Sequence, residues 1–352
     1  MTHIERLQQE GIRRQGSPQR GFRYRRVDGK PVSAQERERI EALKIPPAWK
    51  EVLISPSPKA KLQAPGKDGA GRWQHRYHEA FQKRREAEKY QRIVDFARAL
   101  PRLRRRVNAD LREPGLGRDK VMACLLRILG TCFIRPGSQQ YADENQSFGL
   151  ATLRAEHVKV KGDTVIFDFR GKSGKQQHRE LTDRKVAQVV RACLKVPGRD
   201  VFKFVLDDGF VVDVRRRHIN EYIREVMGAQ YSAKDFRTWG GTLICACALA
   251  RARGRVKHAA ETGGKTAVKK TMVAAVKEVS EHLGNTPTVA RDSYIYPSVL
   301  AMFQQGQVVE RYFHSVDELA RHESTGLHGA EKALLQLIAS DSVPCPAGDK
   351  MV

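Results

Sequence analysis

The sequence predicts an α+β chain: a small, mostly β domain at the N-terminus, then a larger, mainly α domain carrying a three-stranded β meander. Three observations predict it. Before about residue 77 the apolar residues come in short alternating runs broken by Pro and Gly. From about Tyr77 they recur at helical spacing. Between Val158 and Leu181 the period returns to two before helices resume. At 352 residues the chain exceeds one core of ordinary size, so domains at 1–80 and 81–315 and an extension at 316–352 are expected, the extension partly disordered.

Each element has a local reason. Phe22-Arg23-Tyr24 alternates, and Asp28-Gly29 supplies a hairpin turn. Ile45-Pro46-Pro47-Ala48-Trp49 cannot be helix interior, because paired prolines remove donors and clash. Val52, Leu53 and Ile54 form a short strand, and Lys59 to Gly71 reads as a basic, glycine-rich loop. Tyr90, Ile93, Val94, Phe96, Ala97 and Leu100 then follow helical spacing up to Pro101, and a second stripe runs from Val121 to Cys132. In the meander, Val158 and Val160 alternate, Lys161-Gly162-Asp163 turns, and Val165, Phe167 and Phe169 alternate again. Gly171-Lys172-Ser173-Gly174 makes the next turn, and His178 to Leu181 is the third strand. Helices resume with Val186 to Leu194, near Asp235, and from about Thr271 to Leu283, with Gly284 as the C-terminal cap. Arg253 to Lys270, basic and glycine-bearing, reads as a mobile loop, and one helix is expected after residue 320.

Charge narrows the function. Lys and Arg total 64 against 40 Asp and Glu, a net charge of +24. A surface this basic favours a polyanionic partner, nucleic acid ahead of anionic membrane. The first residues lack the apolar core of a signal peptide, and no run of 18 apolar residues exists to span a membrane. Cys124, Cys132, Cys193, Cys245, Cys247 and Cys345 form no CxxC pair and read as reduced thiols of a cytoplasmic protein. Cys245-Ala246-Cys247 is a poor metal signal. A Walker phosphate loop, a GxSxG elbow, an HExxH helix and a carboxylate cluster for paired metals are all absent from the sequence. No cofactor and no metal are therefore expected.

The candidate chemistry lies in five segments. Arg135 stands in Phe133-Ile134-Arg135-Pro136-Gly137, with Tyr141 close behind. Lys172 stands in the turn before Lys175, and Arg237 in Lys234-Asp235-Phe236-Arg237-Thr238-Trp239. Asn285 follows Leu283-Gly284, and Tyr294 follows it by nine positions in Ser293-Tyr294-Ile295-Tyr296-Pro297. In this order they resemble the Arg, Lys, Arg, His/Asn and Tyr set of the type IB DNA topoisomerases, in the bacterial and poxvirus-like branch. Ile45 to Trp49 and Gly71-Arg72-Trp73-Gln74-His75-Arg76-Tyr77-His78 resemble that family's DNA-clamping domain.

The resemblance implies an ATP- and metal-independent enzyme that clamps double-stranded DNA as a monomer on the nucleoid. It nicks one strand through a 3′-phosphotyrosyl link, relaxes supercoils of either sign and reseals. Tyr294 would be the nucleophile, Lys172 the general acid, and Arg135 and Arg237 the forks for phosphate oxygens. Lys234 would assist, and Asn285 would donate a hydrogen bond where many relatives have His. Gln74, His75, Tyr77 and Tyr141 would touch DNA, His75 departing from the Tyr usual in close relatives. The residue types suit the chemistry, since guanidinium stays charged and binds two oxygens at once, and nearby cations favour a phenolate. Lys175 rivals Lys172, and Tyr296 rivals Tyr294. A tyrosine recombinase uses nearly the same set, but Lys234-Asp235-Phe236-Arg237 replaces its His-x-x-Arg box. A non-catalytic DNA-packaging protein would use the basic surface alone.

Overall fold

Short helices with reciprocal caps open the N-terminal half of this computed structural model, which describes residues 1–260, 265–322 and 324–340. Two compact units divide the chain at Tyr90, within the helix Glu79–Asp110. In the first, Thr2 with Glu5 caps the helix His3–Glu10, and Ser33 with Glu36 caps Ala34–Ala42. These capping boxes satisfy donors that a helix start otherwise leaves open. Ile12–Ser17 pairs on one side with Gly21–Arg26 and on the other with Leu53–Ile54. Ile12, Ile40, Val52, Ile54 and Ala64 form the core, with Tyr24, Ile45 and Trp49 packed against it. Arg14 donates to the carbonyls of Pro46 and Trp49 at 3.1 and 2.6 Å, which fixes the Pro-Pro segment.

Two expectations change in this unit. The turn at Asp28-Gly29 closes only a short bridge between Arg25 and Pro31, and the strand Gly21–Arg26 pairs backwards across Ser17 to Gly21. The expected loop Lys59 to Gly71 contains the strand Leu62–Lys67, paired with Trp73–Tyr77. Ala64, Pro65 and Gly66 are poor strand formers, but a neighbour overrides them. Trp49 and Val52 lie against Gly66, where a Cβ would come within 2.8 Å of the Trp49 ring.

The second unit is mainly helical. Its central helix, Arg118–Cys132, packs against Arg184–Lys195, Arg216–Met227 and Ala233–Ala260. The antiparallel meander Val158–Lys161, Thr164–Arg170, Gln176–Thr182 lies beside them, with Val158, Val165, Phe167, Phe169 and Leu181 buried. The sequence reading ended a helix at Pro101, yet Glu79–Asp110 runs through it. Leu100, Leu103 and Val107 are buried on both sides of the proline, and that packing outweighs the lost backbone bond. The hairpin Lys203–Val205/Val211–Asp213 and the helix Arg216–Met227 were not anticipated.

The stretch 253–270 is also corrected. Ala233–Ala260 and Lys265–Leu283 both extend into it, because Lys and Arg are good helix formers and one glycine costs only about 1 kcal/mol. Residues 261–264 lie outside the described residues, as does Cys345. The other five cysteines are buried, and Cys245 and Cys247 belong to no possible metal cluster among the described residues. No described helix is long and apolar enough to cross a membrane.

Candidate active site

Three chain reversals deliver the polar residues to one place. The helix Arg118–Cys132 ends at Phe133 in the left-handed region (φ 53°), and Arg135 follows. Lys265–Leu283 ends in a Schellman turn: Gly284 (φ 60°) donates to Glu281 and Asn285 donates to Ser280 at 2.9 Å. A side chain at 284 would drive its Cβ to 2.1 Å from Gln177 Oε1, so glycine is required on both counts. Tyr294 closes the helix Pro287–Tyr294, and Arg237 sits in the first turns of Ala233–Ala260.

Arg237 is 3% exposed. Its guanidinium donates to the carbonyls of Phe133 and Leu283, the latter at 2.7 Å, and reaches Asn285 Oδ1 at 3.5 Å. Arg135 donates to the same Oδ1 and lies 3.5 Å from the Gly284 carbonyl. Two donors face one amide, so the amide presents its oxygen to them. Asn285 is 7% exposed, and its Nδ2, like Arg237 Nε, is buried without a partner among the described residues. The groups acting on the two guanidiniums include no carboxylate. Asp235, the acid nearest in sequence to Arg237, is taken by Arg92 and Ser232. One buried and one half-buried cation and two idle donors therefore lack a counter-charge, which is the electrostatic signature of an anion site.

The phenol of Tyr294 stands in this field. The Arg237 guanidinium carbon is 5.0 Å from its ring centroid. Burial raises the phenol's pKa, but the charge and hydrogen bond of Arg237, then Arg135 and Lys234, outweigh it and hold the pKa below the usual value. Burial and the neighbouring Arg135 in turn pull the Arg237 guanidinium down to about 10.

A cavity of about 490 Å³ opens here, and Arg135, Tyr141, Lys172, Lys234, Arg237 and Tyr294 all line it. Lys172 and Lys234 are exposed, as is Tyr141. Lys172 rides on the tight turn after Thr164–Arg170, where Ser173 and Gly174 are both left-handed. Lys175 is engaged elsewhere: its Nζ donates to the Asn285 carbonyl at 2.7 Å. Tyr296 is not among the residues lining the cavity; its backbone N–H donates to Thr242.

Gln74, His75 and Tyr77 share the strand Trp73–Tyr77 of the first unit. Gln74 donates to Asp68 at 2.9 Å, while His75 and Tyr77 stack on one face at 5.8 Å. Arg85 lies 6.0 Å above the Tyr77 ring.

Sequence reasoning missed Gly240, Gly241 and Thr242. A Cβ at 240 would meet the Phe133 ring at 2.2 Å, and one at 241 would lie 2.8 Å from the Tyr294 carbonyl. The fully buried Thr242 hydroxyl lies 3.3 Å from that carbonyl and 3.1 Å from the Tyr296 N–H, so it holds the chain on both sides of Tyr294. A Gly-Gly pair flanked by Trp and Thr inside an apolar helix was the available signal.

Comparison with known proteins identifies the family. A family model described as the catalytic core of eukaryotic DNA topoisomerase I matches residues 78–316. A second, the N-terminal domain of bacterial DNA topoisomerase IB, matches residues 21–68. The DNA topoisomerase 1B of Acanthamoeba polyphaga mimivirus is 31% identical over 309 residues, 86% of this chain and 90% of the viral protein. That of Vaccinia virus (strain Copenhagen) is 24% identical over 254 residues, 72% of this chain and 74% of its own.

Proposed function

The chain belongs to the type IB DNA topoisomerase family, and from that premise we propose that it cuts and reseals one strand of duplex DNA through Tyr294. The phenolic oxygen attacks a backbone phosphorus and loses its proton to water. The bond to the 5′-oxygen breaks, and Lys172 protonates that oxygen as it leaves. Negative charge on the non-bridging oxygens is met by Arg135, Arg237 and the Nδ2 of Asn285. Lys234 adds positive charge beside the phenol. The 3′-phosphotyrosyl ester keeps the energy of the broken bond, so reversal by the free 5′-hydroxyl reseals the strand without ATP or metal.

The observation that carries this reading is the buried Arg237 and half-buried Arg135, neither paired with a carboxylate among the described residues, beside one phenol. A phosphodiester supplies the missing charge. In the same reading the chain acts as a monomeric clamp, with Gln74, His75 and Tyr77 on the duplex and Tyr141 beside the phosphates, and relaxes supercoils of either sign.

Trapping on a duplex that loses its short 5′-leaving strand tests the proposal. The wild-type chain should form a covalent adduct that maps to Tyr294. Tyr294→Phe should bind the duplex and form none; an undiminished adduct refutes the assignment. Plasmid relaxation should persist in EDTA without nucleotide, and dependence on either would overturn the mechanism.

A further inference from the structure

The helix Gly329–Ala339 lies beyond residue 316, where the match to the catalytic core ends. One carboxylate ties it into the core. Glu331 is 1% exposed and sits in the first turn of that helix, where its backbone neighbour His328 donates to it at 2.8 Å. Arg104, from the helix Glu79–Asp110, grips Glu331 with both terminal nitrogens at 2.8 and 2.9 Å. The same guanidinium donates to the Gly326 carbonyl at 2.7 Å. The remaining bond comes from the catalytic helix: Trp239 Nε1 donates to Glu331 Oε1 at 3.2 Å.

Trp239 stands two residues after Arg237 and next to Gly240, which carries the Phe133 ring. Phe133 in turn supplies the carbonyl that receives Arg237. Behind these residues is a cavity of about 80 Å³, lined by Leu103, Phe133, Phe236, Trp239, Gly240 and Glu331 among others. Side chains beside a void lose contacts on one side and are held less firmly by packing. The indole therefore needs a directional bond, and Glu331 provides one.

We propose that Glu331 is a positioning residue for the cleavage reaction: through Trp239 it fixes the helix turn that presents Arg237 to Tyr294. The inference rests on the reading of Tyr294 and Arg237 given above. It makes the C-terminal segment part of the active-site support. A buried carboxylate suits this role because removing one partner leaves a costly unpaired group, so the arrangement tolerates little displacement.

Full-length Glu331→Gln and Trp239→Phe test it, the latter keeping an aromatic ring in place. Each should slow single-turnover cleavage by about tenfold, the scale expected for a small misplacement of a reacting group. Affinity for the duplex should stay within about twofold, since the interaction lost acts in the reaction and not in binding. The pH profile of cleavage should also move to higher pH, because Arg237, with Arg135 and Lys234, is what favours the Tyr294 phenolate. Leu334→Ala removes apolar packing from the same helix without touching the carboxylate. It should lower the Tm and leave the pH profile in place. Wild-type rate and profile in Trp239→Phe, or an equal shift in Leu334→Ala, would overturn the proposal. If Tyr294→Phe abolishes the adduct while Trp239→Phe changes nothing, the nucleophile assignment stands and only the positioning role fails.

Discussion

Asn285→Asp should make the protein more stable and nearly inactive. The wild-type amide oxygen accepts from both Arg135 and Arg237, two cations with no carboxylate acting on them. A carboxylate of the same shape would be ionised beside them. Both wild-type bonds are already charge-assisted through their guanidinium donors, so what a carboxylate adds is charge–charge attraction, offset in part by its own desolvation. The net gain is on the order of 1 kcal/mol, a rise of a few degrees in Tm. The same charge would face the phosphate. Two like charges about 4 Å apart at an effective dielectric of about 20 repel by about 4 kcal/mol, which is about a thousandfold in rate. The idle Nδ2 donor is lost as well. Thermal melting and single-turnover adduct formation, measured on one preparation, check both halves. Cleavage within about tenfold of wild type would mean that the amide does not meet the phosphate, since one preorganised donor alone contributes about 10²–10³. A fall in Tm would mean that the two guanidiniums are not short of negative charge.

Lys172→Ala should reduce cleavage by about 10²–10⁴, the usual contribution of a positioned general acid. A substrate with sulfur in place of the leaving 5′-oxygen, which departs without a proton, should restore most of the rate; no rescue would rule out the acid role. Gly284→Ala should destabilise by about 1–3 kcal/mol, since it combines a left-handed φ with a clash on Gln177, and should slow cleavage by displacing Asn285. Denaturant unfolding and adduct kinetics check this pair. Stability should also fall in acid through Glu331. Burial raises its pKa, but Arg104, the His328 N–H and the Trp239 N–H bring it below the ordinary 4.5. A depressed folded pKa stabilises above the unfolded value, and that stabilisation is lost as pH falls below about 4.5 through the folded value. Melting between about pH 6 and about pH 3.5 should show the drop in wild type and a shallower one in Glu331→Gln.

The residue types of the proposed site were legible through the family resemblance. Arg135, Arg237 and Tyr294 stand in the order in which that family carries its two arginines and its tyrosine. The preference for Lys172 over Lys175 comes from the family resemblance and not from the local pattern. Both stand at one turn; Lys172 lines the cavity, and Lys175 Nζ donates to the Asn285 carbonyl. The amide of Asn285 was read as a donor; that its oxygen serves the arginines while its nitrogen stays idle depends on three chain segments meeting. Gly240 and Gly241 gave a visible signal but no reason for it: a helical glycine reads as a local cost, and what requires it lies in Phe133 and Tyr294, far away in sequence. The meander and the helix Arg118–Cys132 followed their apolar periods. The strand Leu62–Lys67 and the helix through Pro101 did not, because tertiary contacts overrode local preference there.

The acceptors that orient the two guanidiniums are mostly main-chain carbonyls, those of Phe133, Leu283 and Gly284. A carbonyl cannot be deleted by a codon change. The side chains at 133 and 283 answer to packing, being buried against the helix that carries Gly240 and Gly241, and not to the cations. Sequence divergence in this site is therefore filtered through backbone geometry, at the left-handed exit after Cys132 and the glycine turn at 284, more than through the residues that touch the cations. A lineage can rewrite most of the chain and still hold the same two charges beside one phenol.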